Sequence, residues 1–490
     1  MYINHKEAKW PPFFILHFEV MARIKFCGAA QTVTGSCHLL TLDDGTKILL
    51  DCGLYQGNEL KYESFNQLWL FEPEEIDYLV LSHAHIDHSG RIPKLCKDGF
   101  KGDIICTSAT RDLASIMLMD SAFIQEKDVE YVNRRKERLG LKPIDPLYTV
   151  EDAQQCMEQF IGVGYNRWYK INEDVSVMFK DAGHILGSAT VTLRLNFGDY
   201  FKYIGFTGDV GRPNRPILKD PVQMDPVDFL ICESTYGGKA HDGAPEDKAR
   251  LLEIIQQTCV ERNGKLIIPA FSVGRTQEIV YMLDQLEHEK ALPKIPVFVD
   301  SPLAVNATDI FSMHPECFDE NILDYMNHDP NPFGFNSLKY VRNVDQSKMI
   351  NSLEGPAIII SASGMMSAGR VKHHLANTIS NPDNTVLVVG YCSPGTLGHR
   401  IREGEKEVSI FGIKHQVKAQ VVIMDSFSAH ADQGELMAFL DNQNRSKLQK
   451  IFLVHGDVAR QEALEQELLK KKFRHIEIPH LGQTYNLNFD

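Results

Sequence analysis

Four imidazole or carboxylate groups fall within six residues at His83-Ala84-His85-Ile86-Asp87-His88, directly after the apolar run Tyr78–Ser82. A loop leaving a buried strand can gather all four into one small volume. Neutral imidazole and carboxylate together suit zinc. Further donors also sit just past apolar strands: Asp51 after Ile48-Leu49-Leu50, His184 after Met178–Lys180, Asp209 after Phe206-Thr207-Gly208, and His455 after Phe452-Leu453-Val454. One such residue alone is usually a turn or cap residue. Their joint occurrence with the six-residue cluster points to a metal centre.

The elements that must carry these groups read as follows. The first half has strand texture at Ala22–Cys27, His38–Leu42, Lys47–Leu50, Tyr78–Ser82, Ile104–Thr107, Val175–Lys180, Ala189–Asn196 and Tyr203–Thr207. Helical patterns cover Gly90–Lys97, Ser108–Glu126 and Val150–Phe160, and the polar region Lys127–Leu147 is expected to protrude. From about residue 238 strand–loop–helix units begin, with strands at Leu266–Pro269, Val297–Val299, Ala357–Ile360 and Thr385–Val389. That rhythm predicts a parallel sheet, whose ligands bind at the carboxyl ends of its strands. Those ends carry Ser272, Arg275, Ser301, Ser363, Arg370 and Arg400. Strand texture returns at Val417–Met424 and Ile451–Val454. The expected organisation is therefore an N-terminal extension (1–20), a first domain segment (21–237), an inserted domain (238–420) and a second segment of the first domain (421–490).

A chain of 490 residues exceeds one core, which fits two domains. The net charge of −14 argues against an indiscriminate polyanion binder but leaves room for a local basic groove. Ten scattered cysteines without a CxxC pair give no disulfide framework and suggest reduced thiols in a cytoplasmic protein. No apolar run is long enough to span a bilayer, so no membrane partner is expected. Phe13–Leu16 is too short for a signal peptide. Ala270-Phe271-Ser272-Val273-Gly274 lacks the first glycine of a nucleophile elbow and reads better as a phosphate loop.

In this order the residues resemble a known family. Asp51, the HxHxDH run at 83–88, His184 and Asp209 match the four motifs of the metallo-β-lactamase superfamily. Glu233 in Cys232-Glu233-Ser234-Thr235-Tyr236-Gly237, His430 in Ser-Ala-His-Ala-Asp and His455 in Val-His-Gly-Asp are similar to motifs A, B and C of its β-CASP branch. The segments Pro269–Gln277, Asp300–Ala304, Ser361–Leu375 and Gly390–Ile401 resemble its inserted domain. The resemblance spans nearly everything from Met21 onward. It implies an α/β fold: a metallo-β-lactamase αββα sandwich with an inserted parallel α/β domain. It also implies two zinc ions. One would be bound by His83, His85, His184 and Asp209, the other by Asp87, His88, Asp209 and His455, with Asp209 bridging. Asp51 would orient a ligand or the attacking water. Three places depart from the family pattern: Asp457, the loop Tyr391–Gly395, and His399. They bear on substrate more than on metal.

The activity so implied is ribonuclease. Hydroxide activated by the metals would attack phosphorus, and His430, oriented by Glu233, would protonate the leaving oxygen. Asp51, Asp87, Glu233 and His430 are the expected catalytic residues. Ser272, Arg275, Ser301, Ser363, Lys372 and Arg400 are the expected substrate contacts, with Arg370 beside them. The expected partner is single-stranded RNA, with a homodimer left open. Two other readings remain. One is a DNA nuclease, although DNA-processing relatives carry an aliphatic residue where this chain has His455. The other is a small-molecule thioester or lactone hydrolase, which the large insertion argues against.

Overall fold

The computed structural model describes residues 21–57, 60–241, 247–390, 392–393, 395–424 and 429–488. The expected extension 1–20, and Tyr391 and Pro394 of the departing loop, lie outside the described residues.

Among the described residues the strands form two seven-stranded sheets, a six-stranded sheet and a hairpin. The first sheet runs, in spatial order, Thr484–Asn488, Met21–Phe26, His38–Thr41, Lys47–Leu50, Tyr78–Val80, Asp103–Thr107 and Phe160–Val163. The second runs Ile476–Glu477, Lys450–Val454, Phe229–Glu233, Phe201–Phe206, Ala189–Asn196, Val175–Asp181 and Tyr169–Lys170. Alternation buries one face of each sheet against the other. Ile24, Phe26, Leu40, Ile48 and Leu50 meet Val177, Phe179, Val191, Phe206, Ile231 and Phe452 there. Helices cover the outer faces: Ser108–Arg138 beside the first sheet, and Gln433–Phe439 with Val458–Lys470 on the second. This is the αββα sandwich.

The third sheet is parallel throughout, in the order Leu338–Tyr340, Val297–Val299, Ala357–Ser361, Lys265–Pro269, Thr385–Val388 and Gln420–Ile423. Its central strands are apolar on both faces because helices cover both, as Ala357–Ser361, buried at every position, illustrates. The two units share one core, which runs from Leu113 and Leu118 through Ile185, Leu186 and Ile217 to Ile268 and Ile310. Backbone bonds reinforce the seam: Asp319 N–H donates to Ile217 at 2.8 Å and Lys219 N–H to Cys317 at 3.1 Å.

Four expectations need correction. Ser108–Glu126 continues as helix to Arg138. The polar stretch contains no breaker before Gly140, where φ is +69°, and Lys127–Glu130–Arg134 pairs line its exposed side. The side chain of Asn133 then folds the following chain back by bonding both backbone groups of Ile144, at 2.8 and 2.9 Å. The helix from Val150 ends at Cys156, and Phe160 opens an edge strand instead. The helix expected over Gly90–Lys97 begins at Ile92, because Gly90 caps a separate short helix, Ile86–Ser89, that was not expected. Finally, Gln420–Ile423 pairs parallel with Thr385–Val388, so it belongs to the inserted sheet rather than reopening the first domain at 421. No helix of the described residues is long and apolar enough to cross a membrane.

Candidate active site

Strand ends deliver nearly every donor. Asp51 follows Lys47–Leu50, Asp209 follows Phe201–Phe206 by three residues, Glu233 ends Phe229–Glu233, and His455 follows Lys450–Val454. The short helix Ile86–Ser89 turns His88 inward, where it is buried. Gly53 lets the loops close: a Cβ there would lie 1.7 Å from the carbonyl oxygen of Asp87.

The donors converge in two groups that share an edge. His83, His85, His184 and Asp209 form one, and Asp87, His88 and His455 form the other, with donor atoms within 4.8 Å of one another in each. Asp209 lies between them. Its Oδ2 is 3.5 Å from Nε2 of both His83 and His184, and its Oδ1 is 3.3 Å from His88 Nε2 and His455 Nδ1. The carboxylate is 2% exposed, and its Oδ1 has no hydrogen-bond partner among the described residues. Ring nitrogens also face ring nitrogens: His83 Nε2 and His184 Nε2 lie 3.1 and 3.2 Å from His85 Nδ1, and His88 Nε2 lies 3.2 Å from His455 Nε2. Buried imidazoles facing one another around an orphaned carboxylate fit cations at both centres.

The distal ring nitrogens are held. His88 Nδ1 bonds Asp51 Oδ2 at 2.6 Å, His83 Nδ1 bonds Ser82 Oγ at 3.0 Å, and His455 Nδ1 bonds Thr235 Oγ1 at 3.1 Å. Asp51 itself accepts from Ser82 N–H at 2.8 Å and from the Ser36 and Ser82 hydroxyls at 3.0 Å. Burial, chiefly, keeps His83 and His184 well below the usual imidazole pKa and brings His85 down to about 4. They are therefore neutral, the state in which imidazole binds metal. Burial alone would raise Asp87, but His455 and His88 outweigh it and hold the carboxyl at about 2.

A third group, Asp209, Glu233 and His430, adjoins the first two. Glu233 Oε1 accepts Val210 N–H at 2.5 Å, and Oε2 lies 3.4 Å from His430 Nδ1. Burial opposes charge on His430, but Glu233 and Asp209 outweigh it and push its pKa up to about 9. The His430 side chain is 22% exposed, so its ring reaches solvent beside the metal donors. His241 Nε2 lies 3.1 Å from the His430 carbonyl, and Asp432 accepts His241 N–H at 2.9 Å.

The substrate residues divide. Ser272 and Ser301 meet, Oγ to Oγ, at 3.2 Å, and a Cβ placed on Gly274 of the same loop would lie 3.9 Å from Ile185 Cγ2, beside His184. Ser363 Oγ bonds its own loop at Ala368, at 3.3 Å. The basic side chains have protein partners rather than open ends. Arg275 is buried against Glu278, which Arg215 also holds at 3.0 Å. Arg370 binds Asp300 at 2.6 Å and the carbonyls of Val341 and Arg342. Lys372 lies over the Phe411 ring at 4.7 Å, and Arg400 pairs with Glu405 at 2.7 Å. An acid three to five residues along the chain captures Arg275 and Arg400, a local effect that strand-end position alone does not reveal. Sequence reasoning also missed Ser36, Ser82, Thr235 and His241. Ser82 and Thr235 stand within the quoted motifs, whereas nothing local marks Ser36 or His241.

Residues 31–162 match the metallo-beta-lactamase superfamily, residues 276–401 the Beta-Casp domain, and residues 414–479 the Zn-dependent metallo-hydrolase RNA specificity domain. A protein of Thermus thermophilus named a ribonuclease is 33% identical over 462 residues, covering 94% of this chain and 99% of that protein. An RNase J-like protein of Methanocaldococcus jannaschii is 32% identical over 441 residues (89% of this chain, 93% of that one). A protein of Methanosarcina mazei named transcription termination factor FttA is 30% identical over 450 residues, covering 89% of this chain and 67% of that protein.

Proposed function

Since this chain belongs to the β-CASP branch of the metallo-β-lactamase superfamily, where it is a hydrolytic enzyme, we propose that it is a zinc-dependent ribonuclease acting on single-stranded RNA. The observation that carries the reading is the divided carboxylate of Asp209, one oxygen facing each histidine group. Names of relatives support RNA as the substrate.

His83, His85, His184 and Asp209 would hold one cation, and Asp87, His88, His455 and Asp209 the other. Bound zinc supplies Lewis acidity, which acidifies water at neutral pH and offsets charge growing on phosphoryl oxygens. The remaining steps belong to the chain. Asp51, Ser82 and Thr235 fix ring orientation, so that the donor set is preorganised. His430, held protonated by Glu233, delivers its proton to the departing ribose oxygen. Ser272 and Ser301, at the ends of inserted strands, offer hydroxyls to a flanking phosphate. None of the ten cysteines is in a disulfide, which supports a reducing compartment, the cytoplasm.

The test is a side-by-side assay of single-stranded RNA, single-stranded DNA and a thioester with zinc-supplemented protein. RNA should be cut preferentially. Preferential DNA cleavage would transfer the reading to a DNA nuclease, and thioester turnover alone to a small-molecule hydrolase.

A further inference from the structure

Phe271 is 40% exposed, although Ala270 and Val273 around it are buried. A single exposed aromatic ring is ordinary on a protein surface. This one stands where open parallel sheets bind their ligands, past the carboxyl end of Lys265–Pro269. The strands on either side are Ala357–Ser361 and Thr385–Val388, and the loop after each brings a glycine to the ring. A Cβ at Gly364 would lie 3.0 Å from Cδ2 and Cε2 of Phe271, and one at Gly390 would lie 3.5 Å from Cε2. A Cβ at Gly364 would press on the ring and one at Gly390 would sit in ordinary contact with it, and glycine at both places leaves the ring uncovered there.

The ring is presented from a pinned backbone. The carbonyl of Phe271 accepts Thr276 N–H at 3.3 Å and Thr276 Oγ1 at 2.8 Å. Ala270 N–H donates to Ser361 at 3.1 Å, and Gln277 Nε2 to the Ser272 carbonyl at 3.2 Å. The same loop approaches the candidate metal donors, since a Cβ placed on Gly274 would lie 3.9 Å from Ile185 Cγ2, next to His184. Three peptide units separate Phe271 from Gly274, which limits their Cα separation to about 11 Å. Phe271 thus adjoins Ser272, whose hydroxyl meets that of Ser301, on the loop that approaches the candidate metal donors.

We propose that Phe271 is a stacking platform for one nucleobase of the substrate strand, close to the scissile phosphate. The inference rests on the ribonuclease reading above and adds how the strand is held. Every base has a π-face, so such a platform requires a base and tolerates any sequence. It also favours unpaired strands, whose bases are free to turn out.

The experiment scans single abasic nucleotides along a short single-stranded RNA, using the full zinc-supplemented chain and its Phe271→Ala, Phe271→Leu and Phe271→Tyr variants. Wild type should show one position at which losing the base raises KM roughly 5- to 150-fold, with kcat little changed. Phe271→Ala and Phe271→Leu should have that higher KM on intact RNA and no further loss at the abasic position. Phe271→Tyr should behave as wild type. Phe271→Leu keeps apolar bulk in the loop, and metal content with thermal unfolding certifies each variant. Unchanged KM in folded Phe271→Leu, or equal abasic sensitivity in wild type and variants, would overturn the platform while leaving the ribonuclease reading intact. Failure of the wild-type protein to bind or cut any RNA would overturn both.

Discussion

Asp51 Oδ2 lies 2.6 Å from Nδ1 of His88, and this bond turns Nε2 of the same ring toward Asp209 Oδ1, 3.3 Å away. Asp51 is fully buried and is reached by two serine hydroxyls and a backbone N–H as well. On the proposed reading it acts through His88.

Replacing Asp51 with Ala should leave His88 free to rotate and strand the Ser36 and Ser82 hydroxyls. Groups that orient a ligand histidine typically contribute about 10- to 100-fold in metal affinity. Isothermal titration of metal-free protein with zinc should show the centre at Asp87, His88 and His455 losing affinity by that factor. Unchanged binding of both cations would reduce Asp51 to a packing residue.

His430→Ala should keep both cations and slow cleavage by about 10²- to 10⁴-fold, the usual contribution of a general acid. Single-turnover kinetics on saturating RNA reads this directly, with metal analysis of the same sample. Lost zinc would instead make His430 a ligand.

Much of this site was legible in sequence because its donors stand one to three residues past apolar strands such as Lys47–Leu50 and Lys450–Val454. A buried strand announces itself by composition, and the residue after it inherits a fixed place. The αββα sandwich and the parallel inserted sheet followed from the same runs. What stayed hidden depends on contacts distant in sequence. Ser36 reaches Asp51 and Thr235 reaches His455 only once loops 15 and 220 residues apart have met. The ion pairs of Arg275 and Arg400 stayed hidden although their partners are near in sequence, since a place at a strand end does not show that Glu278 or Glu405 holds the cation. The helix extension to Arg138 has no apolar stripe to reveal it; its outer turns are held by charge pairs instead.

Gly53→Ala should fail at a defined place. The added Cβ would fall 1.7 Å from the Asp87 carbonyl, so the helix bearing Asp87 and His88 must move. Such overpacking typically costs about 1–3 kcal/mol. Thermal unfolding should show a lower Tm, and zinc titration a weakened site at Asp87, His88 and His455. Wild-type values in both would mean that the loop yields freely.

Stability should depend on Asp181. Burial raises its carboxyl pKa from 3.8 to about 7, against the pull of Gly183 N–H and Lys219. The folded state then holds a proton that the unfolded state has released, so stability falls as pH rises between those values and stays reduced above about 7. The deficit is at most about 4 kcal/mol. Asp181→Asn retains an acceptor for Gly183 N–H and removes the charge. Its Tm should exceed that of wild type at pH 8 by more than at pH 5. An equal offset at both would show that Asp181 is not the titrating group.

The divided carboxylate of Asp209 is tested most directly by zinc-to-protein ratios from elemental analysis of wild type, His455→Ala and Asp209→Asn, each loaded with zinc and desalted. Ratios near two, near one and near zero are expected, because on the proposed reading His455 serves one centre and Asp209 serves both. A wild-type ratio of one or less in folded protein, or an Asp209→Asn protein that still carries two ions, would contradict it.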